Sequence, residues 1–395
     1  MSEAFLVGGV RTPIGRYGGA LAGIRPDDLA ALVVRDAVDR AGVPDAAIDE
    51  VILGAANQAG EDNRNVARMA VLLAGLPDDI PGITVNRLCA SGMSAIALAA
   101  QAIRAGDADI VVAGGVESMT RSPWVQAKPE RAWAKPGATV DTSIGWRFTN
   151  PRLSARENAT LSMPETAEEV ARRDGITREE ADAFALRSQQ CAVAAIDAGR
   201  FDAEIVAVPT RAGEVAVDEG PRRETTANAL AALRPVVADG EVVTAGNASS
   251  LNDGASAVIV ASGEAVRRYG LLPRARLVTS TAAALAPEIM GLGPVPATER
   301  ALRRTGLSAD SLGAIELNEA FATQALASIR RLDLDPARVN RDGGAIALGH
   351  PLGSSGCRIV VTLLGRMERE SAGLGLATMC VGVGQGTAMI LERVS

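Results

Sequence analysis

Among its 395 residues the chain has one histidine, His350, and four cysteines, Cys89, Cys191, Cys357 and Cys380. A mechanism that draws two histidines from this chain is therefore excluded. Two cysteines and a histidine can supply a nucleophile, the base that activates it and a second acid–base group. The cysteines are widely spaced and form no Cys-x-x-Cys pair, which argues against a zinc site. A disulfide framework is not expected in so long a chain without secretory features.

Cys89 sits in Val85-Asn86-Arg87-Leu88-Cys89-Ala90-Ser91-Gly92-Met93. An alanine-rich helical stretch follows from Ser94 to Ala105, with Gly106 placed as its C-terminal cap. A cysteine near a helix N-terminus meets unpaired amides and the positive end of the dipole, which favour thiolate. Small neighbours, Ser91 and Gly92, would let a ligand reach the sulfur. Two readings stand at this point: a nucleophile, or one of the buried structural cysteines common in cores.

His350 closes Gly343-Gly344-Ala345-Ile346-Ala347-Leu348-Gly349 and precedes Pro351. A sole histidine in a glycine-rich loop ahead of a helix suits a general base, though it also fits a loop residue with no role. Cys380 ends an apolar run and leads into Gly382-Val383-Gly384, whose glycines could expose amides to an oxyanion. Taken alone, Cys380 fits a core residue at a strand end equally well. Asn318, after Ile315-Glu316-Leu317, fits a ligand crevice at a strand's carboxyl end, a helix cap, or both at once. Cys191 and Cys357 read as structural.

These residues need elements to bring them together. Short apolar runs such as Val51-Ile52-Leu53 and Ile110-Val111-Val112-Ala113 alternate with amphipathic helical stretches, a pattern that predicts an α/β protein with a mostly parallel sheet. A diverged internal repeat is visible: Val85-Asn86-Arg87 returns as Val339-Asn340-Arg341, and each copy follows a strand-like run, Glu50–Ala56 and Ala314–Ala320. Toward the end of each half comes a glycine pair read as a turn, Gly114-Gly115 and then Gly382-Val383-Gly384. Between the halves lies a long middle segment with its own helical block, Pro164 to Gly199, expected to be an inserted domain. The boundaries drawn are 1–119 with 242–272 for the first half, 120–241 for the insert and 273–395 for the second half.

The composition is 47% hydrophobic with 3% aromatic residues, and the net charge is −7. That balance supports a sizeable layered core, and it offers neither a basic footprint nor a stacking surface for nucleic acid. No stretch reads as a membrane span. The first residues, Met1-Ser2-Glu3-Ala4-Phe5, have no signal or transit pattern, so a cytoplasmic protein is expected.

In order along the whole chain, Arg11-Thr12-Pro13-Ile14-Gly15, the Cys89 segment, Gly114-Gly115-Val116-Glu117-Ser118-Met119, Thr244-Ala245-Gly246-Asn247-Ala248-Ser249, Met290-Gly291-Leu292-Gly293-Pro294 and the Asn318, His350 and Cys380 motifs resemble the thiolase family. The resemblance implies two duplicated βαβ-rich halves in five layers (αβαβα) with a loop domain inserted in the first half. It implies an acyltransferase that makes or cleaves a 3-ketoacyl-CoA. Cys89 would be acylated, and His350 would take its proton and then help hold a thioester oxygen. Asn318 would position a water beside that oxygen, and Cys380 would move the α-carbon proton. The amides of Cys89 and Gly382 would form the other oxyanion hole. Ser249 resembles the serine at the pantetheine arm, and Arg222 the arginine near the nucleotide end, although its surroundings depart from the pattern at Gly220, Pro221 and Arg223. Coenzyme A would be a cosubstrate with no tightly bound cofactor, and a homodimer or homotetramer is implied. A ketoacyl synthase of the same fold would need a second histidine. A coenzyme A-binding scaffold would not need Cys89, Asn318, His350 and Cys380 together.

Ser162-Met163-Pro164-Glu165-Thr166, Asp141–Phe148 and Gln58–Arg68 look most like thiolases acting on 3-oxoadipyl-CoA, a substrate ending in a carboxylate. Arg147 or another cation of the insert could meet that group. An uncharged 3-ketoacyl-CoA, as in acetoacetyl-CoA or fatty-acid thiolases, is the alternative, with these segments marking ancestry or subunit contacts.

Overall fold

The computed structural model describes residues 3–394. Nine strands form the path of one large sheet: β1 (Ala4–Arg11), β2 (Glu50–Gly54), β3 (Gly82–Val85), β4 (Ile110–Ser118), β5 (Asn252–Ser262), β6 (Pro273–Ala284), β7 (Ala314–Leu317), β8 (Leu374–Val381) and β9 (Gln385–Arg393), in the order β7-β8-β9-β6-β1-β5-β4-β2-β3. A two-residue strand, Gly15–Arg16, pairs alongside β5. The main helices are α1 (Pro26–Ala41), α2 (Val66–Leu73), α3 (Ser91–Ala105), α4 (Met163–Asp174), α5 (Arg178–Asp197), α6 (Pro294–Thr305), α7 (Ala322–Arg331) and α8 (Leu352–Arg369).

The sheet has two wings that meet where β1 pairs with β6, Phe5 opposite Arg276 and Leu6 opposite Ala275. Strand alternation sorts its side chains into layers. Ile110, Val112 and Ile259 face the α1–α2 side; Val111, Ala113 and Val260 face inward. On the other wing Met389 and Leu391 face inward, whereas Ala388 and Ile390 pack outward with α6 and α7. Helices α3 and α8 fill the space between the wings, which gives the five layers α, β, α, β, α.

The expected mostly parallel sheet is not found. Only β2–β3, β2–β4 and β7–β8 run parallel, and the pairs β1–β5, β1–β6, β4–β5, β6–β9 and β8–β9 are antiparallel. Each half makes its helical crossovers and is then closed by a returning strand, which must run antiparallel. In the second half that return is a tight turn between Val381 and Gln385; in the first it is the whole stretch between β4 and β5. The halves otherwise match in order, and Val339 bridges Ile315 in parallel as β3 does β2. Gly114-Gly115 is no turn either. Both residues lie inside β4, where a side chain at Gly114 would strike Ser256 O and one at Gly115 would strike Gly353 O.

The helical block of the middle segment is two helices. Ser162 and Thr177 cap α4 and α5 with capping boxes, and Gly175 separates them in a left-handed conformation. The stretch Leu88–Ala105 does have the length and hydropathy of a membrane span, contrary to the reading from sequence. It is helix α3 with its lead-in turn, half-buried, apolar on the faces that pack on the first wing and on α8.

Candidate active site

Helices α3 and α8 meet near their N-terminal ends. A Cβ on Gly92 would lie 2.8 Å from Gly353 O, and one on Gly356 would lie 2.5 Å from Met93 N. Only glycine permits this approach, and it draws the turn before α3 toward the loop before α8. The first turn carries Cys89 and the second carries His350.

Leu88, just ahead of Cys89, has φ of +45°, a conformation that costs a branched side chain about 1–2 kcal/mol. Polar side chains hold it there. Asn86 Oδ1 accepts from Leu88 N at 2.8 Å, while Ser91 Oγ accepts from Arg87 N at 2.9 Å and donates to Leu88 O at 2.6 Å. The amides of Gly382 and of Cys89 itself lie close enough to the Cys89 sulfur to favour its thiolate. Burial nevertheless pushes its thiol up to about 11, with the negative field of Glu117 adding to the effect. The resting thiolate expected from the helix N-terminus is therefore not what this site holds. Desolvation outweighs the two amides, and Cys89 rests as a thiol.

His350 is buried, and burial pushes its imidazole down to about 3, so it is neutral near pH 7. Its Nδ1 lies 2.7 Å from Ser355 Oγ, which donates its own proton to Pro351 O at 2.8 Å. The hydroxyl must then accept, so the ring proton is on Nδ1 and the Nε2 lone pair faces Asn318. Asn318 Nδ2 lies 3.4 Å from that Nε2, and Asn318 Oδ1 has no hydrogen-bond partner among the described residues. The cap of α7 is Phe321, so Asn318 does not serve as a helix cap. The His350 backbone is fixed by its N–H donating to Asn252 Oδ1 at 2.9 Å.

Cys380 is the penultimate residue of β8, in the core, two residues before Gly382. Its S–H donates to Gln324 Oε1 at 3.3 Å. Burial holds this thiol far above the usual range, and the neighbouring Cys89 raises it further. Cys89, Gly382, His350, Asn318 and Cys380 thus gather on the loops around the α3 and α8 N-termini and the end of β8.

Four supporting residues were not singled out in the sequence. Asn252, Ser355 and Gln324 orient His350 and Cys380. Glu117, at the end of β4, accepts N–H bonds from Ala56 (2.9 Å), Asn57 (3.2 Å) and Gly353 (2.8 Å), so it ties the β2 end to the start of α8. Burial lifts its carboxyl to about 7 against these three donors. Its place in a Gly-Gly-Val-Glu motif was the available signal.

A cavity of about 370 Å³ opens onto Cys89 and Gly382. Leu88, Ile144, Trp146 and Met163 give it apolar walls, and its charged lining residues are Glu117 and Arg147. A second cavity, of about 580 Å³, takes Arg16, Gln189, Arg222, Ala248, Ser250 and Ile346 into its lining. Arg222 N donates to Gln189 Oε1 at 2.8 Å, and its side chain is exposed. Ser249 lies between Ala248 and Ser250, with its N–H on Ala320 O at 2.9 Å. Arg222 therefore stands at this groove, and Ser249 lies beside it, its neighbours Ala248 and Ser250 being in the lining although it is not itself. Behind it, Arg11 holds Asp218 bidentately (2.7 and 2.9 Å) and Glu204 at 2.6 Å, all three buried.

Two family models match the chain: Thiolase, N-terminal domain, over residues 4–264, and Thiolase, C-terminal domain, over residues 271–393. The chain is 54% identical over 399 residues to the beta-ketoadipyl-CoA thiolase of Pseudomonas aeruginosa, covering 99% of each. It is 54% identical over 402 residues to the 3-oxoadipyl-CoA/3-oxo-5,6-dehydrosuberyl-CoA thiolase of Escherichia coli K12, covering all of both chains. The structure of human mitochondrial 3-ketoacyl-CoA thiolase in complex with CoA superposes with a TM-score of 0.93 at 38% identity, covering 100% of this chain and 98% of that one.

Proposed function

The chain belongs to the thiolase family, and from that premise we propose that it cleaves 3-oxoadipyl-CoA with coenzyme A to succinyl-CoA and acetyl-CoA. Membership makes it an acyltransferase acting on CoA thioesters. The observation that carries the reading is that Cys89 and Gly382 open together onto a cavity large enough for a short acyl chain.

Cys89 attacks the C3 carbonyl carbon while His350 Nε2 takes the thiol proton, since neither a resting thiolate nor a charged imidazole is available beforehand. The C2–C3 bond breaks. Its electron pair leaves with C2 as the enolate of acetyl-CoA, which takes the Cys380 proton. His350 and a water held by Asn318 support the enolate oxygen. Succinyl remains on Cys89, its carbonyl oxygen facing the amides of Cys89 and Gly382. Coenzyme A then enters and gives its thiol proton to Cys380. Its sulfur attacks the succinyl carbonyl, and Cys89 leaves and recovers its proton from His350. The reverse order is the Claisen condensation.

Ser249 and Arg222 are assigned to the pantetheine and nucleotide ends of coenzyme A in the second cavity. Residues 120–241 act as a loop domain that walls the acyl cavity, between a first half (1–119 with 242–272) and a second (273–395). Assembly as a homodimer or homotetramer is supported by exposed Leu73 and by exposed Ile83 on the edge strand β3. A cytoplasmic site of action belongs to the same reading.

The test is thiolysis, followed as loss of 3-ketoacyl-CoA absorbance, with 3-oxoadipyl-CoA, acetoacetyl-CoA and a medium-chain 3-ketoacyl-CoA. A clear preference in kcat/KM for 3-oxoadipyl-CoA, abolished in Cys89→Ala, is expected. Turnover of the uncharged substrates alone would overturn the substrate.

A further inference from the structure

The acyl cavity is asymmetric in charge. Glu117 sits near the sulfur with its carboxylate occupied by three backbone N–H groups. Arg147 lies on the wall contributed by residues 142–147, half-buried, and forms no hydrogen bond or ion pair with any other described residue. The loop that carries it is fixed. Thr142 Oγ1 accepts from Asn57 Nδ2 at 2.8 Å and donates to Pro123 O at 2.6 Å, and Trp146 Nε1 donates to Leu161 O at 3.3 Å. An arginine that is held on an anchored loop and left free at its guanidinium is prepared for a ligand.

We infer that Arg147 is the residue that selects a dicarboxylic acyl group, pairing its guanidinium with the carboxylate at the far end of the chain carried on Cys89. The inference rests on the substrate reading above and extends it to one side chain. A carboxylate entering a cavity walled by Ile144, Trp146 and Met163 loses water on the way in and needs a partner there. The guanidinium fork matches it bidentately, and the apolar walls strengthen the pairing. Glu117 would repel it, so the chain lies with its carboxylate away from the sulfur. A chain ending in a methyl group gains nothing from Arg147 and leaves that charge unpaired.

The matched substrates are 3-oxoadipyl-CoA and 3-oxohexanoyl-CoA, of equal chain length and differing only in the terminal carboxylate. The quantity read is the ratio of their kcat/KM values, which any general loss of fold or catalysis leaves untouched. Arg147→Gln is expected to lower the ratio roughly 10- to 30-fold, no more than the low end of what truncating one partner of a buried charge pair does, because Arg147 is half-buried, with the loss falling mainly in KM. Arg147→Lys, which keeps the charge without the fork, is expected to recover part of it. A ratio that stays near the wild-type value in Arg147→Gln overturns the assignment while leaving the substrate reading intact. A wild-type enzyme with no preference for 3-oxoadipyl-CoA overturns the substrate reading itself.

Discussion

His350 Nδ1 and Ser355 Oγ lie 2.7 Å apart in the core of the protein, five residues apart on the turn into α8. Because the serine proton is committed to Pro351 O, this one contact sets which ring nitrogen is free to act as base. Ser355→Ala removes the acceptor and leaves a buried N–H unpaired, so the wrong tautomer becomes accessible. The expected result is a fall in kcat of roughly 10- to 100-fold, the usual effect of deleting an orienting partner, with KM for the 3-ketoacyl-CoA little changed. Steady-state kinetics beside a thermal melt separates this from a loss of fold.

Glu117 acts on Cys89 through its charge. Its carboxyl is lifted by burial to about 7, and in ionised form it raises the Cys89 thiol. The sign is definite. Above pH 7 the wild-type site carries that negative charge and Glu117→Gln does not, so the variant thiol ionises more readily. Alkylation of Cys89 by iodoacetamide should therefore be faster in Glu117→Gln at pH 8, and the two proteins should converge below pH 6, where wild-type Glu117 is protonated. Equal rates at pH 8 would remove Glu117 from the electrostatics of the nucleophile.

The buried Arg11–Asp218–Glu204 cluster predicts a stability effect remote from the chemistry. Arg11→Met leaves two buried carboxylates facing each other without their cation. Breaking such a cluster costs about 3–5 kcal/mol, read as a lower urea midpoint at unchanged slope. Asp218 also accepts from Ile14 N at 2.8 Å and lies four residues before Arg222, so the KM for coenzyme A should rise along with the loss of stability.

What the sequence made legible follows from how local each signal is. Cys89, His350 and Cys380 stand out because their residue types are rare and chemically specific, and their glycine-rich surroundings are local. The repeat was visible because Val85-Asn86-Arg87 and Val339-Asn340-Arg341 occupy matching places in the two halves. Gln324, Glu117 and Asn252 are ordinary polar residues until folding sets them against partners 56, 236 and 98 positions away. The sheet direction was misjudged for a related reason: alternating runs reveal crossovers, but not the strand that returns after an insertion more than a hundred residues long. The Cys89 thiol shows the same division. Its helix N-terminus is readable from sequence, whereas the burial that dominates its ionisation is a property of the whole fold.

The central claim is that the acyl group travels on Cys89. Incubating the protein with 3-oxoadipyl-CoA in the absence of coenzyme A, quenching in acid and mapping peptides by mass spectrometry tests it directly. One succinyl group on the peptide containing Cys89, discharged on adding coenzyme A and absent from Cys89→Ala, is the predicted result. Succinyl on Cys380, Cys357 or Cys191, or rapid turnover with no acylated cysteine at any time, would contradict it.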